Sequence, residues 1–228
     1  MSPSPRPISL LIAEDHTVVR QGLRALLEAE PGCTVVAEAR TGREAVDLAR
    51  ALRPDVVLMD IALPVLNGLD ATRQILADHP SARVLILSAH SGDEYLERFG
   101  ELGAAGFLEK QTSAEVLVEA VLAVARGETF YSPSILRRQR IRRRAHRGRP
   151  DKSPPEGRLT ARETEVLQLV AEGLANKQIA GTLGISVQTD EKHRQQVMDK
   201  LAIHETAGLT RYALARGIVE RGVRMTIL

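Results

Sequence analysis

The 228-residue sequence predicts a doubly wound α/β domain with a five-stranded parallel sheet, followed by an all-α domain of four helices. Two patterns carry this expectation. Between residues 8 and 127, aliphatic runs alternate with helically spaced apolar positions, and near-continuous aliphatic strands are what a sheet covered on both faces requires. Beyond residue 158 the strand-like runs stop and cap, helix and glycine signals take over.

The first run, 8–13, is followed by a helix for which Val18, Leu23, Leu26 and Leu27 are expected to share one face. Further βα units are read at 34–39 with 44–51, 56–60 with 68–77, 84–87 with 94–102, and 105–108 with 113–126. Five such units favour the strand order 2-1-3-4-5.

Charge divides the chain. Residues 1–130 hold 12 Lys and Arg against 19 Asp and Glu, whereas residues 131–228 hold 19 against 10. The overall +2 hides this asymmetry, which predicts two domains with different partners and nucleic acid for the basic half. Cys33 is the only cysteine, which excludes an intrachain disulfide and a multi-cysteine metal site. The first seven residues lack a signal-peptide core, and no later run approaches the roughly 18 apolar residues of a membrane span. A soluble, cytoplasmic protein without membrane contact is expected.

Four of the apolar runs end in a polar group that can carry chemistry. Glu14 and Asp15 close the first, Asp60 the third and Ser88 the fourth, and Lys110 follows Gly106, Phe107 and Leu108. In an open α/β sheet ligands bind outside the carboxyl ends of the strands, so these residues should converge. Glu14, Asp15 and Asp60 supply the hard oxygens that Mg²⁺ prefers. The pattern reads as a phosphorylatable Asp60 with its metal site, where Lys110 binds phosphoryl oxygens as a point charge and Ser88 donates a hydrogen bond.

The segments AEDH at 13–16, VVLMDIALPVLNG at 56–68, LILSAH at 85–90 and GAAGFLEK at 103–110 resemble the receiver domain of bacterial two-component response regulators. That likeness implies a CheY-like, flavodoxin-like fold, Asp60 as phosphoacceptor, Glu14 and Asp15 as Mg²⁺ ligands, and Ser88 and Lys110 at the phosphoryl group. It also implies a switch role for Phe107, for which a plain core residue is an equal reading. Leu63 replaces the usual Met before Pro64, a nearly volume-conserving change. Gln111 replaces a common proline after Lys110, so a trans peptide is expected there.

Residues 129–157 gather Arg137, Arg138, Arg140, Arg142, Arg143, Arg144, Arg147 and Arg149, then three prolines. They read as a basic linker, helical in part, serving as a solvated spacer or as an arm that binds DNA phosphates. Next, Thr160 and Glu163 form a capping box, Gly173 suits a helix C-cap, and Ser186 caps a helix reaching Leu201 after the turn at Gly184. Two helices joined this way make a helix-turn-helix.

Residues 159–201 resemble the LuxR-type DNA-binding domain, and the whole chain resembles the NarL/FixJ class of response regulators. Val197 and Leu201 should face the bundle, which leaves Glu191, Lys192 and Gln195 toward solvent or DNA. Lys192 suits guanine, Gln195 adenine and Glu191 cytosine, with Lys177, Thr189 and Arg194 as weaker candidates for phosphate contact. Asp190 departs from the pattern, because it stands on the buried stripe where the family carries an apolar residue, usually Val. The helix dipole offers about 1 kcal/mol at most, whereas an unpaired buried carboxylate costs several. The side chain must therefore reach solvent, find a basic partner, or loosen the domain.

The resulting expectation is a transcriptional regulator, not an enzyme, with a disordered segment 1–7, a receiver over 8–128, the linker over 129–157, the helix-turn-helix domain over 158–222 and a tail over 223–228. Phosphorylation by a histidine kinase would switch a homodimer that binds double-stranded DNA. Two other readings compete with this one. An aspartyl-phosphate hydrolase of the haloacid dehalogenase type needs a second acid at position 62, which is alanine. A phosphorylation-independent adaptor, with DNA binding weakened by Asp190, remains as the alternative.

Overall fold

The computed structural model describes residues 6–88, 102–132, 135–137 and 159–219. Most of the helix expected at 94–102, most of the arginine-rich linker and the tail at 223–228 lie outside the described residues. The chain divides into two compact units.

In the first unit the order is β1 (Ile8–Ala13), α1 (Thr17–Glu28), β2 (Cys33–Ala39), α2 (Gly42–Leu52), β3 (Val56–Asp60), α3 (Gly68–Asp78), β4 (Val84–Ser88), β5 (Gly106–Glu109), α4 (Ala114–Ala125) and β6 (Phe130–Tyr131). The sheet runs β2-β1-β3-β4-β5-β6, with every neighbouring pair parallel. The sequence predicts five strands, and the sheet has six among the described residues. The sixth is two residues long, too short for periodicity to reveal, and it holds the sheet edge through backbone bonds from Phe130 N to Ala105 O and from Ser132 N to Phe107 O, both 3.1 Å. Gly106 permits that approach, since a Cβ there would lie 2.5 Å from the Phe130 carbonyl oxygen.

Every residue of β3 and β4 is buried, as central strands covered on both faces must be. Edge strand β2 instead mixes buried and exposed positions. On one side the core joins Leu10, Ile12, Leu58 and Leu85 to Leu117, Val121 and Val124 of α4.

Helix α1 corrects one expectation. Val18 is 81% exposed, and the buried positions are Arg20 and Leu27, with Leu23 packed alongside. At about 100° per residue, position 18 lies some 200° around the helix from position 20 and cannot share its face. A charged residue therefore occupies a place on the buried stripe that an apolar pattern would not assign to it.

The second unit contains α5 (Ala161–Ala171), α6 (Asn176–Leu183), α7 (Val187–Leu201) and α8 (Thr206–Ala215). Thr160 and Glu163 cap α5 reciprocally, with Thr160 N donating to Glu163 Oε2 at 2.7 Å and Glu163 N donating to Thr160 Oγ1 at 3.3 Å. Gly184, at φ +63°, ends α6 in the left-handed region, and Ser186 accepts from Thr189 N to begin α7. Val166, Leu167, Val170, Ile179, Val197, Leu209 and Ala213 form the core on which these helices close.

Candidate functional site

Parallel pairing sets β1, β3, β4 and β5 side by side with their carboxyl ends together, so residues far apart in sequence meet there. Glu14 and Asp60 are each about 1% exposed at the side chain, and Lys110 reaches both, its Nζ lying 2.7 Å from Glu14 Oε2 and 2.9 Å from Asp60 Oδ2. On the outer side His16 Nδ1 lies 2.7 Å from Asp15 Oδ1 and 3.1 Å from Glu14 Oε1. The Lys110 ammonium and the His16 imidazole thus stand among three carboxylates.

Ligand atoms of Glu14, Asp15 and His16 all lie within 4.8 Å of one another. Asp60 stands outside that cluster and is tied to it by Lys110. Ser88 is fully buried at the end of β4, and its carbonyl accepts from Lys110 N at 2.7 Å. Phe107 is 1% exposed on β5, within the sheet. The Lys110–Gln111 peptide is trans.

Burial drives the Asp60 carboxyl up to about 6, with Lys110 opposing and the Glu14 charge adding to the rise. Burial also disfavours the Lys110 ammonium, but Asp60 and Glu14 outweigh it and raise its pKa. Neither Asp60 oxygen receives a hydrogen bond of regular geometry among the described residues. Lone pairs on a buried carboxylate, with Glu14 sharing Lys110 and Asp15 next to Glu14, make a donor set that suits a hard divalent cation.

The backbone behind Asp60 is close-packed. A Cβ on Gly68 would lie 1.9 Å from the Asp60 carbonyl oxygen, and Gly68 N donates to Ile61 O at 2.9 Å. Glycine at position 68 thus lets α3 begin directly against the end of β3.

Two residues near the acids escaped sequence reasoning. His16 was read only as part of a motif, although spacing alone placed a ligand-type side chain next to Glu14 and Asp15. Arg20, 2% exposed, reaches back from α1 to the β1–α1 loop. Its only sequence signal was a charge in phase with Leu23 and Leu27.

In the second unit Lys177, Thr189, Glu191, Lys192 and Gln195 are exposed. Gln195 donates to Asp199 one turn along α7 at 2.8 Å. Thr189 Oγ1 lies 2.8 Å from Ser186 Oγ at the start of the helix. Arg194 is partly buried, and its terminal nitrogens bond Asn176 Oδ1 at 2.9 Å and Thr206 Oγ1 at 2.7 Å, which ties α7 to α6 and α8. Val197 is buried and Leu201 packs against the core.

Asp190 is fully buried, and neither of its oxygens has a hydrogen-bond partner among the described residues. Of the three outcomes the sequence left open, escape to solvent and a bonded basic partner are both excluded within that set. Burial raises its pKa, while Arg194, His193 and Arg162 oppose the rise only through space. Desolvation therefore prevails.

Among the described residues no helix is long and apolar enough to cross a membrane. The model of the response regulator receiver domain matches residues 10–122, and that of the bacterial regulatory proteins of the luxR family matches residues 157–213. The transcriptional regulatory protein MctR of Rhizobium johnstonii is 38% identical over 217 residues, covering 94% of this chain and 96% of its own. The nitrate/nitrite response regulator NarP of Escherichia coli is 37% identical over 208 residues, covering 91% and 95%. A two-component response regulator of the LuxR family from Aurantimonas, 37% identical, superposes with a TM-score of 0.58 over 60% of this chain and 98% of its own. RcsB of Salmonella enterica serovar Typhimurium, bound to promoter rprA in the presence of phosphomimetic BeF3⁻, is 25% identical with a TM-score of 0.54 over 91% and 98%. With a receiver unit ahead of a helix-turn-helix unit and relatives aligned along nearly its whole length, this chain belongs to the two-component response regulators of the NarL/FixJ class, transcriptional regulators with a LuxR-type DNA-binding domain.

Proposed function

We propose that Asp60 accepts a phosphoryl group from a histidine kinase and that the modified receiver controls DNA binding by the helix-turn-helix unit. The observation that carries this reading is a buried Asp60 carboxylate joined to Glu14 through Lys110. An Asp60 oxygen attacks phosphorus, the bond from phosphorus to the donor's imidazole nitrogen breaks, and the nitrogen keeps the electron pair. Lys110 moves from bridging two carboxylates to binding a phosphoryl oxygen, and Ser88 donates to another. Glu14, Asp15 and Asp60 would hold Mg²⁺, which neutralises the charge gathered between carboxylate and phosphoryl group. Burial excludes bulk water from the reacting atoms, and Phe107 relays the change through β5.

Two copies, joined when phosphorylated, would present paired recognition helices to half-sites in adjacent major grooves, consistent with the DNA-bound state of RcsB. Lys192, Gln195 and Glu191 then read base edges, while Lys177, Thr189 and Arg194 contact phosphates. A Phos-tag gel with acetyl phosphate and Mg²⁺ tests the switch. Wild type is expected to give a retarded band that Asp60→Asn lacks; equal migration of the two proteins rejects Asp60 as acceptor.

Asp190, without a hydrogen-bond partner among the described residues, favours a second reading, a phosphorylation-independent adaptor that grips DNA weakly and acts through protein contacts. Under that reading Asp190→Val tightens DNA binding whether or not Asp60 is phosphorylated.

A further inference from the structure

The β1–α1 loop carries two of the three acids, and one buried side chain holds its backbone. Arg20 Nη1 donates to the carbonyl oxygen of Glu14 at 2.8 Å and to that of Asp15 at 3.2 Å. Its Nε donates to Glu38 Oε2 at 2.9 Å, and Glu38 is itself held by Arg24 Nη1 at 2.7 Å. The two carbonyls belong to the peptide planes on either side of Asp15. Because the backbone rotates only between planes, fixing both fixes φ and ψ of Asp15 and with them the direction of its Cα–Cβ bond. The same bond to the Glu14 carbonyl anchors the residue that meets Lys110.

We infer that Arg20 is a positioning residue of the acidic site, which it preorganises for a divalent cation by clamping the Glu14 and Asp15 carbonyls from behind with Glu38 as brace. This rests on the reading of Glu14, Asp15 and Asp60 as cation ligands. The guanidinium is suited to the task because its planar fork serves carbonyls and carboxylate at once. A lysine keeps the charge but offers one compact ammonium that cannot span both sets of acceptors. Arg20→Lys therefore isolates geometry from electrostatics.

The test is calorimetric titration of the full-length protein with MgCl₂, for wild type, Asp60→Asn, Arg20→Lys and Glu38→Gln. Residues that hold ligands in place typically contribute about 10-fold or more in metal affinity, and Arg20→Lys is expected to raise the Mg²⁺ dissociation constant by roughly that factor. Glu38→Gln, which removes only the brace, should act in the same direction by less, and it decides the matter if Arg20→Lys does not fold. Labelling by acetyl phosphate should need correspondingly more Mg²⁺ for half-maximal rate yet reach the wild-type plateau at saturation. A merely structural role lowers the plateau and leaves half-saturation unmoved. Wild type that binds Mg²⁺ beside an Arg20→Lys protein that binds it equally well overturns the positioning role alone. Wild type that binds no Mg²⁺ overturns the cation reading and this inference with it.

Discussion

Asp60 and Asp190 are both buried carboxylates, one at a strand end in the receiver and one in the first turn of the helix-turn-helix unit's α7, yet their surroundings differ in kind. Asp60 has an ammonium at 2.9 Å, which it shares with Glu14. Among the described residues Asp190 has only unbonded charges at a distance. Burial with a cation at hand creates a reactive group held ready; burial without one leaves the desolvation cost uncompensated. The first pattern suits the proposed phosphoryl-acceptor site, the second a weak point in a fold.

Substitution should separate the two most sharply. Asp190→Val replaces a buried charge by an apolar side chain of similar volume and is expected to stabilise the second unit by about 2 kcal/mol. Differential scanning calorimetry would register this as a rise of several degrees in the transition of that unit. Asp60→Asn leaves Glu14 paired with Lys110 and should move the melting temperature less, while abolishing phosphoryl acceptance. A larger thermal shift from Asp60→Asn than from Asp190→Val would invert the comparison.

pH sharpens it further. The folded-state pKa of Asp190 lies above the ordinary 3.8, so the folded unit binds this proton more tightly than the unfolded chain does. Stability referable to Asp190 is then fully present below the unfolded value and is lost as pH rises through the folded value. The gap between wild type and Asp190→Val should be widest near neutrality and close as pH falls toward about 4. A gap of constant width across that range would assign the effect to packing.

The smallest expected effect concerns the helix against which the recognition helix packs. Thr160→Ala removes one half of the capping box on α5 and should cost about 1 kcal/mol, the usual value for an N-cap. Since Lys200 also holds Glu163 at 2.7 Å, part of the cap survives. A loss well above that value would mean the cap supports α7 as well as α5.

Much of this architecture was legible beforehand because it depends on local periodicity and on residue types at strand ends. The aliphatic runs, the capping box, the glycine at position 184 and the polar groups after four of the runs are short-range signals. β6 was not legible, since two residues set no period, and its place depends on backbone groups of β5 and on the missing side chain of Gly106. Nor was the burial of Arg20 in place of Val18. An arginine enters a buried stripe only where carbonyls and a carboxylate from other segments meet it, and no local pattern encodes those partners.

By itself the sequence determined the order of the longer elements, the class of each unit and a set of candidate site residues, because hydrophobic period, caps and turn residues act within a few positions along the chain. Only the tertiary structure decided that Lys110 lies between Glu14 and Asp60, that Arg20 grips the loop from behind, and that Asp190 is sealed in without a bonded partner among the described residues. Those outcomes depend on distances between segments as many as 96 residues apart. The pairing and desolvation of a charge are properties of such distances, which no stretch of the chain specifies alone.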